Sequence, residues 1–383
     1  MNVVFNSPLS EVMKIIINNK HYNILFKTSI IWYNKPQLRH YRTKWNILFF
    51  GTDKFAVESL QQIHKHMNLW SRLEVVTPYN TSKENDVASY TNKHKIKLHP
   101  WPITFPISQF DIGLVVSFGH LIPTWIIQSF PLGMINVHAS LLPRWRGAAP
   151  IIHSLLHGDT TTGVTIIKIM PKNFDTGEIL AQTSIDIHPD ETQIQLYSKL
   201  ANIGAGLLIE TIKRLPSIIQ CGIPQNEEYV TYAPKITQNI SYIHWDKMTA
   251  ENVYNLYRAL DGFYKLITYF NGHKIKLSNI TYHGKQDYFK SSLIIPGLIM
   301  YTCFYIGNYE YPTIFNIIMI SGLVFYDKNK DLLAIQCQDG LYISAKQISV
   351  SQHRTMAAKD FYNGFIANTT NQHVIFTCQS HDK

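Results

Sequence analysis

The stretch DIGLVVSFGHLIPTWIIQSFPLGMINVHASLLPRWRGAAP, Asp111 to Pro150, decides the fold. Asp111 to Ser117 runs through apolar and β-branched residues without polar alternation, which is how a strand buried on both faces reads. Phe118-Gly119-His120 ends it, and Gly133 to Val137 (GMINV) forms a second strand with His138 at its carboxyl end. In open parallel sheets, ligands sit at that end. Pro143 and Gly147 then break the chain before a short helix over Ala148 to His157. Outward from this stretch, Leu73 to Thr77 (LEVVT) reads as another strand, and Gly163 to Met170 and Gly177 to Ile187 as paired late strands. Pro189-Asp190-Glu191-Thr192 opens a long amphipathic helix to Leu215, its stripe carried by Leu196, Leu200, Ile203 and Leu207. The class is α/β with a parallel-rich sheet.

The same stretch carries chemistry. Asn136 and His138 lie two apart in a strand and face one way, and Asp175-Thr176-Gly177 follows the next predicted strand. An amide, an imidazole and a carboxylate around such a turn equip a site to move an acyl group onto an amine. The tetrahedral intermediate needs preorganised donors: the Asn136 amide and His138 reach one oxygen, while Asp175 orients and charges the imidazole or takes the amine proton. Taken singly, each has a structural reading: a capped histidine, a common turn tripeptide. The conjunction of Asn-x-His, Ser140-Leu141-Leu142-Pro143, Gly147 and Asp-Thr-Gly favours catalysis. Gly51-Thr52 starts no phosphate-loop pattern.

NVHASLLPRWRGAAP with the downstream Asp-Thr-Gly resembles the signature of the folate-dependent formyltransferases, most closely the methionyl-tRNA formyltransferases. Ile47 to Ala56 (ILFFGTDKFA), Val164 to Leu180 and Tyr229 to Lys235 (YVTYAPK) extend the likeness. The resemblance implies a Rossmann-like formyltransferase domain over 45–215, a linker over 216–240 and a smaller OB-like β-barrel domain over 241–383. It further implies 10-formyltetrahydrofolate as co-substrate, with Ser140, Leu141, Leu142 and Pro143 lining its pocket, methionyl initiator tRNA as partner, no metal, and a monomer. Pro143 would stiffen the turn and the leucines present apolar surface; packing of both leucines into the core is the structural alternative. The competing functions are another formyltransferase or hydrolase using the same folate, or an RNA-binding protein with a vestigial site.

Two regions are read for RNA contact. Lys83, Lys93, Lys95 and Lys97 lie where the family inserts a basic loop that grips the acceptor end of tRNA; here the segment is shorter, lacks arginine and carries Glu84 and Asp86, so it reads equally as a solvated connection. In the second domain, short strands at Leu266–Phe270, Lys274–Leu277, Leu332–Gln336 and Leu341–Ile348 suggest a small barrel. Lys346, Arg354 and Lys359 are its RNA-contact residues, against the plainer reading of solvated side chains.

The net charge of +9 says little about nucleic acid, because the leader, residues 1–44, holds seven basic residues and one acid while Asn46 to Ile240 is neutral. That leader is basic, acid-poor and aromatic, as mitochondrial transit segments are, and the alternative is a disordered extension. The expected compartment is the mitochondrial matrix. Its apolar runs are too short for a membrane span. The four cysteines, Cys221, Cys303, Cys337 and Cys378, are dispersed without metal-ligand spacing. Ile294 to Phe325 is apolar and nearly uncharged, but its prolines, asparagines and Glu310 argue against a membrane helix. Pro296-Gly297 and Ser321-Gly322 would each fill the turn that leads into a strand at Gly322 to Tyr326, so 297–321 reads as a lineage-specific insertion or a translated intron.

Overall fold

The computed structural model describes residues 29–32 (backbone), 44–78, 84–283, 321–351, 353–367 and 374–378. The chain divides into two compact units, residues 1–154 with 159–236, and residues 155–158 with 237–383. Residues 297–320 of the apolar segment 297–321, residues 1–28 and 33–43 of the leader, and Lys83 lie outside the described residues.

In the first unit the elements are β1 (Ser29–Trp32), β2 (Trp45–Gly51), α1 (Lys54–Lys65), β3 (Trp70–Thr77), α2 (Asp86–Lys93), β4 (Lys97–Pro100), β5 (Ile112–Val116), α3 (Thr124–Gln128) and β6 (Met134–His138). Then follow α4 (Pro150–Leu156, its last two residues counted with the second unit), β7 (Thr161–Lys168), β8 (Ile179–Asp186) and α5 (Gln193–Lys213). The eight strands are ordered β1-β8-β7-β6-β5-β2-β3-β4. β6-β5-β2-β3-β4 run parallel, and β7, β8 and β1 add antiparallel partners. All five residues of β5 are buried, which explains its unbroken apolar run.

Strand order reverses between β2 and β5, and such a switch point opens a crevice at the carboxyl ends. Residues of its two loops are tied across it: the Thr52 hydroxyl donates to the Ser117 carbonyl (2.5 Å) and the Ser117 hydroxyl to Asp53 (2.6 Å). Asp53 also caps α1, accepting from the Ala56 amide at 3.1 Å. Helix α5 carries a capping box, Thr192 with Gln195, and approaches the sheet at Gly204, where a Cβ would lie 3.0 Å from Val137.

The polar stretch after β3 contains more structure than a connection. Asn85 caps α2 by accepting from Ala88 (2.9 Å), and only Val87, Ala88 and Thr91 are buried. A helix with so small an apolar face leaves little periodic signal in the sequence.

The second unit holds α6 (Ala250–Ala259), β9 (Leu266–Phe270), β10 (His273–Tyr282), β11 (Val324–Asp327), β12 (Leu332–Gln336), β13 (Tyr342–Val350), β14 (Met356–Ala357) and α7 (Ala358–Phe361). Its antiparallel sheet runs β11-β12-β13-β10-β9, with β14 on β13. Residues 374–378 close it. Ile375 bridges Leu323 beside β11 and Thr377 bridges Tyr269 of β9, so one short segment pairs with both edges and buries Phe376 between them. A small barrel results, as the short strands imply.

Candidate active site at the carboxyl edge of the sheet

Strand β6 ends beside the switch point, and its alternation sends Asn136 and His138 to one face. The loop between β7 and β8 returns Asp175 to them. The Asn136 amide donates to Asp175 Oδ1 at 3.2 Å, and His138 Nδ1 lies 3.5 Å from the same oxygen. The Gly147 amide donates to Oδ2 at 3.1 Å. The side chains of His138 and Asp175 are only 6% and 11% exposed. All three residues singled out in the sequence for acyl transfer therefore converge on one carboxylate.

The imidazole's orientation follows from its other nitrogen. His138 Nε2 lies 2.9 Å from the Trp145 carbonyl, which can only accept, so Nε2 carries the proton and Nδ1 is turned to the site. Asn136 uses one amide hydrogen on Asp175, and the second remains for an incoming oxygen.

The turn after β6 is a belt held from beneath. The Ser140 hydroxyl donates to the Arg144 carbonyl (2.6 Å), Thr165 donates to the Ser140 carbonyl (2.6 Å), and the Leu142 amide donates to Thr165 (3.1 Å). Ser140 is fully buried, and Leu142 packs with Ile167 and Ile179. The expectation that both leucines offer surface to a ligand therefore needs correction: Leu142 faces the core and the Ser140 hydroxyl is engaged. Leu141 and Pro143 remain half-exposed. Arg144 is held by both oxygens of Asp159, at 2.9 and 2.6 Å, and lies over the Trp145 ring, whose indole N–H donates to the same carboxylate at 2.7 Å. The Asp159 hydrogen bond raises the Arg144 pKa, against the opposing effect of burial.

The segment read from its prolines as a linker grips this belt. Trp145 N–H donates to the Thr231 hydroxyl (2.9 Å), Arg146 N–H to the Thr231 carbonyl (2.9 Å), and Ala233 N–H to the Arg146 carbonyl (2.7 Å). At Gly147, φ is +127° and a Cβ would sit 2.6 Å from the Ala233 carbonyl, so only glycine fits. Residues up to Ile236 belong with the first unit for this reason. Sequence reasoning missed Asp159, Gln225 and Thr231. The one available signal was the pair of cations Arg144 and Arg146 in the turn, of which the buried Arg146 demands acceptors.

The lysines chosen for RNA contact divide. Lys93 closes α2, Lys95 sits in a turn at φ +58°, and both are exposed. Lys97 lies 3.7 Å from the buried Glu74 carboxylate, so its charge is partly spent within the protein. In the second unit Lys346 lies on β13, Arg354 precedes β14 and Lys359 lies on α7, all exposed. Among the described residues, His244, Asp246 and Cys378 of that unit bring ligand atoms within 4.8 Å of one another; the first two are exposed and the cysteine half-buried. Spacing along the chain gave no hint of this group. No helix among the described residues is long and apolar enough to cross a membrane.

Comparison with known proteins agrees with this architecture. Residues 106–212 match the family described as Formyl transferase, and residues 235–366 its C-terminal domain. The human mitochondrial methionyl-tRNA formyltransferase is 38% identical over 328 residues, 84% of this chain and 78% of that protein. The methionyl-tRNA formyltransferase of Caldicellulosiruptor saccharolyticus is 34% identical over 255 residues, covering 67% of this chain and 71% of its own. Among solved structures, an N-formyltransferase from Helicobacter canadensis, in complex with folinic acid and dTDP-3-aminofucose, superposes with a TM-score of 0.55 at 20% identity. That match covers 79% of this chain and 98% of the other, and shows a shared fold. With the mitochondrial and bacterial relatives matched across both units, the chain belongs to the methionyl-tRNA formyltransferase family.

Proposed function

We propose that this protein transfers the formyl group of 10-formyltetrahydrofolate to the α-amino group of methionyl initiator tRNA in the mitochondrial matrix. The observation that carries the reading is the convergence of Asn136, His138 and Asp175 beside the switch-point crevice. Family membership supplies the substrates, and the mitochondrial relatives together with the basic leader support the compartment. In this reading it works as a monomer without a metal.

The folate supplies the formyl group on its N10 nitrogen. As the methionyl amine bonds to the formyl carbon, the carbonyl electron pair moves onto oxygen. The free amide hydrogen of Asn136 donates to that oxygen. Asp175, already holding two donors, accepts the proton the amine must lose, directly or through water. His138 Nδ1, facing Asp175, takes up that same proton from the carboxylate and passes it to N10 as the carbon–N10 bond breaks and its electron pair returns to the nitrogen. Trp145 keeps the imidazole turned for this by engaging Nε2. The half-exposed Leu141 and Pro143 border the folate, while Ser140 and Leu142 hold the turn that carries them. Lys93, Lys95, Lys346, Arg354 and Lys359 offer exposed cations to the tRNA backbone, and Lys97 contributes less because Glu74 engages it.

The test is formyl transfer by the full chain to charged initiator tRNA, with uncharged tRNA and His138→Ala as controls. Turnover that requires both the methionine and His138 is the expected result. Folate hydrolysis without transfer would point to a different acceptor, and RNA binding without any reaction to a vestigial site.

A further inference from the structure

The geometry assigns Gln225, in the segment between α5 and the second unit, as the residue that positions Asp175. This rests on the reading above that the Asp175 carboxylate takes part in the transfer. Gln225 is buried, and its Nε2 donates to two carbonyls of the catalytic turn, Asp175 at 2.8 Å and Gly177 at 2.9 Å. Its Oε1 accepts from Arg146 Nε at 2.9 Å. Two carbonyls on one side and a guanidinium on the other permit only one orientation of the amide.

The turn needs such a hold. Asp175 has φ +56°, a left-handed conformation that costs a non-glycine residue on the order of 1 kcal/mol and persists only where its surroundings over-determine it. At Gly177 a Cβ would fall 1.7 Å from the Lys168 carbonyl, so the chain turns tightly against β7 at that point. By holding the peptide oxygens on both sides of Thr176, Gln225 sets the direction in which the Asp175 side chain leaves the turn.

The clamp also joins the two halves of the site. Trp145 orients His138 through its carbonyl, and Gly147 donates its amide to Asp175. Between them, the buried Arg146 reaches Gln225, and its outer nitrogens reach Glu227 at 2.9 and 3.2 Å. Gln225 thus ties the imidazole-bearing belt to the carboxylate-bearing turn. Its Nε2 and Oε1 are both engaged within the protein, so it acts through Asp175.

The experiment is a double-mutant cycle on the full chain, with Gln225→Leu, Asp175→Ala and the double variant assayed for formyl transfer, each checked by thermal unfolding. Gln225→Glu, which can still accept from Arg146, stands in if the leucine variant does not fold. Gln225→Leu should lower kcat by about tenfold to a hundredfold, as misplacement of a catalytic group does, with KM for methionyl-tRNA changed less than about threefold. In the Asp175→Ala background the same change should cost less than about twofold, because its effect passes through the missing carboxylate. Equal losses in both backgrounds, wild-type kcat in the Gln225 variants, or a loss confined to KM would overturn the assignment. Wild-type turnover of Asp175→Ala would instead overturn the catalytic reading on which it rests.

Discussion

At Asp175 the two oxygens serve different neighbours, Oδ1 the Asn136 amide and Oδ2 the Gly147 backbone. The sequence pairs Asn136 with His138 by strand period and supplies the carboxylate by motif, but the contact among the three arises only when β7 brings its loop back. In the proposed mechanism, replacing Asn136 by alanine removes one donor to the oxyanion, worth about 3 kcal/mol of barrier. Steady-state kinetics should give kcat lowered by about a hundredfold or more with little change in KM. A second residue-scale expectation concerns thiols. Burial, with Asp339 nearby, pushes Cys337 up to about 12, so mass spectrometry after alkylation of the native protein should find it unmodified while the half-buried Cys221 reacts. Modification of Cys337 without unfolding would contradict its placement.

Among the elements, the β3–β4 pair contains an ion cluster that the sequence did not disclose. Glu74 is buried, with His99 Nε2 at 2.5 Å, Arg72 Nε at 2.6 Å and Lys97 at 3.7 Å. Burial alone would raise its pKa, yet the hydrogen bonds from His99 and Arg72 and the charges of Arg72 and Lys97 together lower it. A carboxylate depressed in the folded state contributes stability above its unfolded pKa and loses it as pH falls through the folded value. Glu74→Gln should therefore cost about 2 kcal/mol at neutral pH, and thermal unfolding should show the gap to wild type closing on acidification. In α5, Leu200 is fully buried, and Leu200→Ala should cost roughly 2–5 kcal/mol in denaturant unfolding. That helix was legible because its buried leucines keep a long period, whereas α2 offers three small buried residues and passed for a polar connection.

For the whole molecule, the charge surplus lies mainly in the leader, so RNA affinity depends on individual exposed cations rather than on overall charge. Each lysine that neutralises a phosphate should reduce the slope of log K against log salt by about 0.9 when removed. Filter binding should show this for Lys93→Ala and Lys95→Ala, with a smaller effect for Lys97→Ala; slopes unchanged in all three would leave α2 and its turn without a role in RNA binding. The barrel depends on its last described segment, and Phe376→Ala should lower stability by roughly 3–5 kcal/mol, seen as a shifted midpoint in chemical unfolding.

The sequence by itself determined the parallel core and singled out the three side chains that meet at its carboxyl edge. A strand buried on both faces must be continuously apolar, a strand's period of two sets Asn136 and His138 on one face, and the Asp-Thr-Gly turn follows β7 in the chain. Tertiary structure alone decided how those groups are aimed. The contacts that do this join residues far apart in the chain: Gln225 with Asp175, Thr231 with Trp145, Lys97 with Glu74, and Thr377 with Tyr269. It also turned Ser140 and Leu142 inward, because the belt must satisfy its own buried polar groups before it can present a surface. Periodicity records which face of an element is buried, and it carries no information on which distant segment will meet that face.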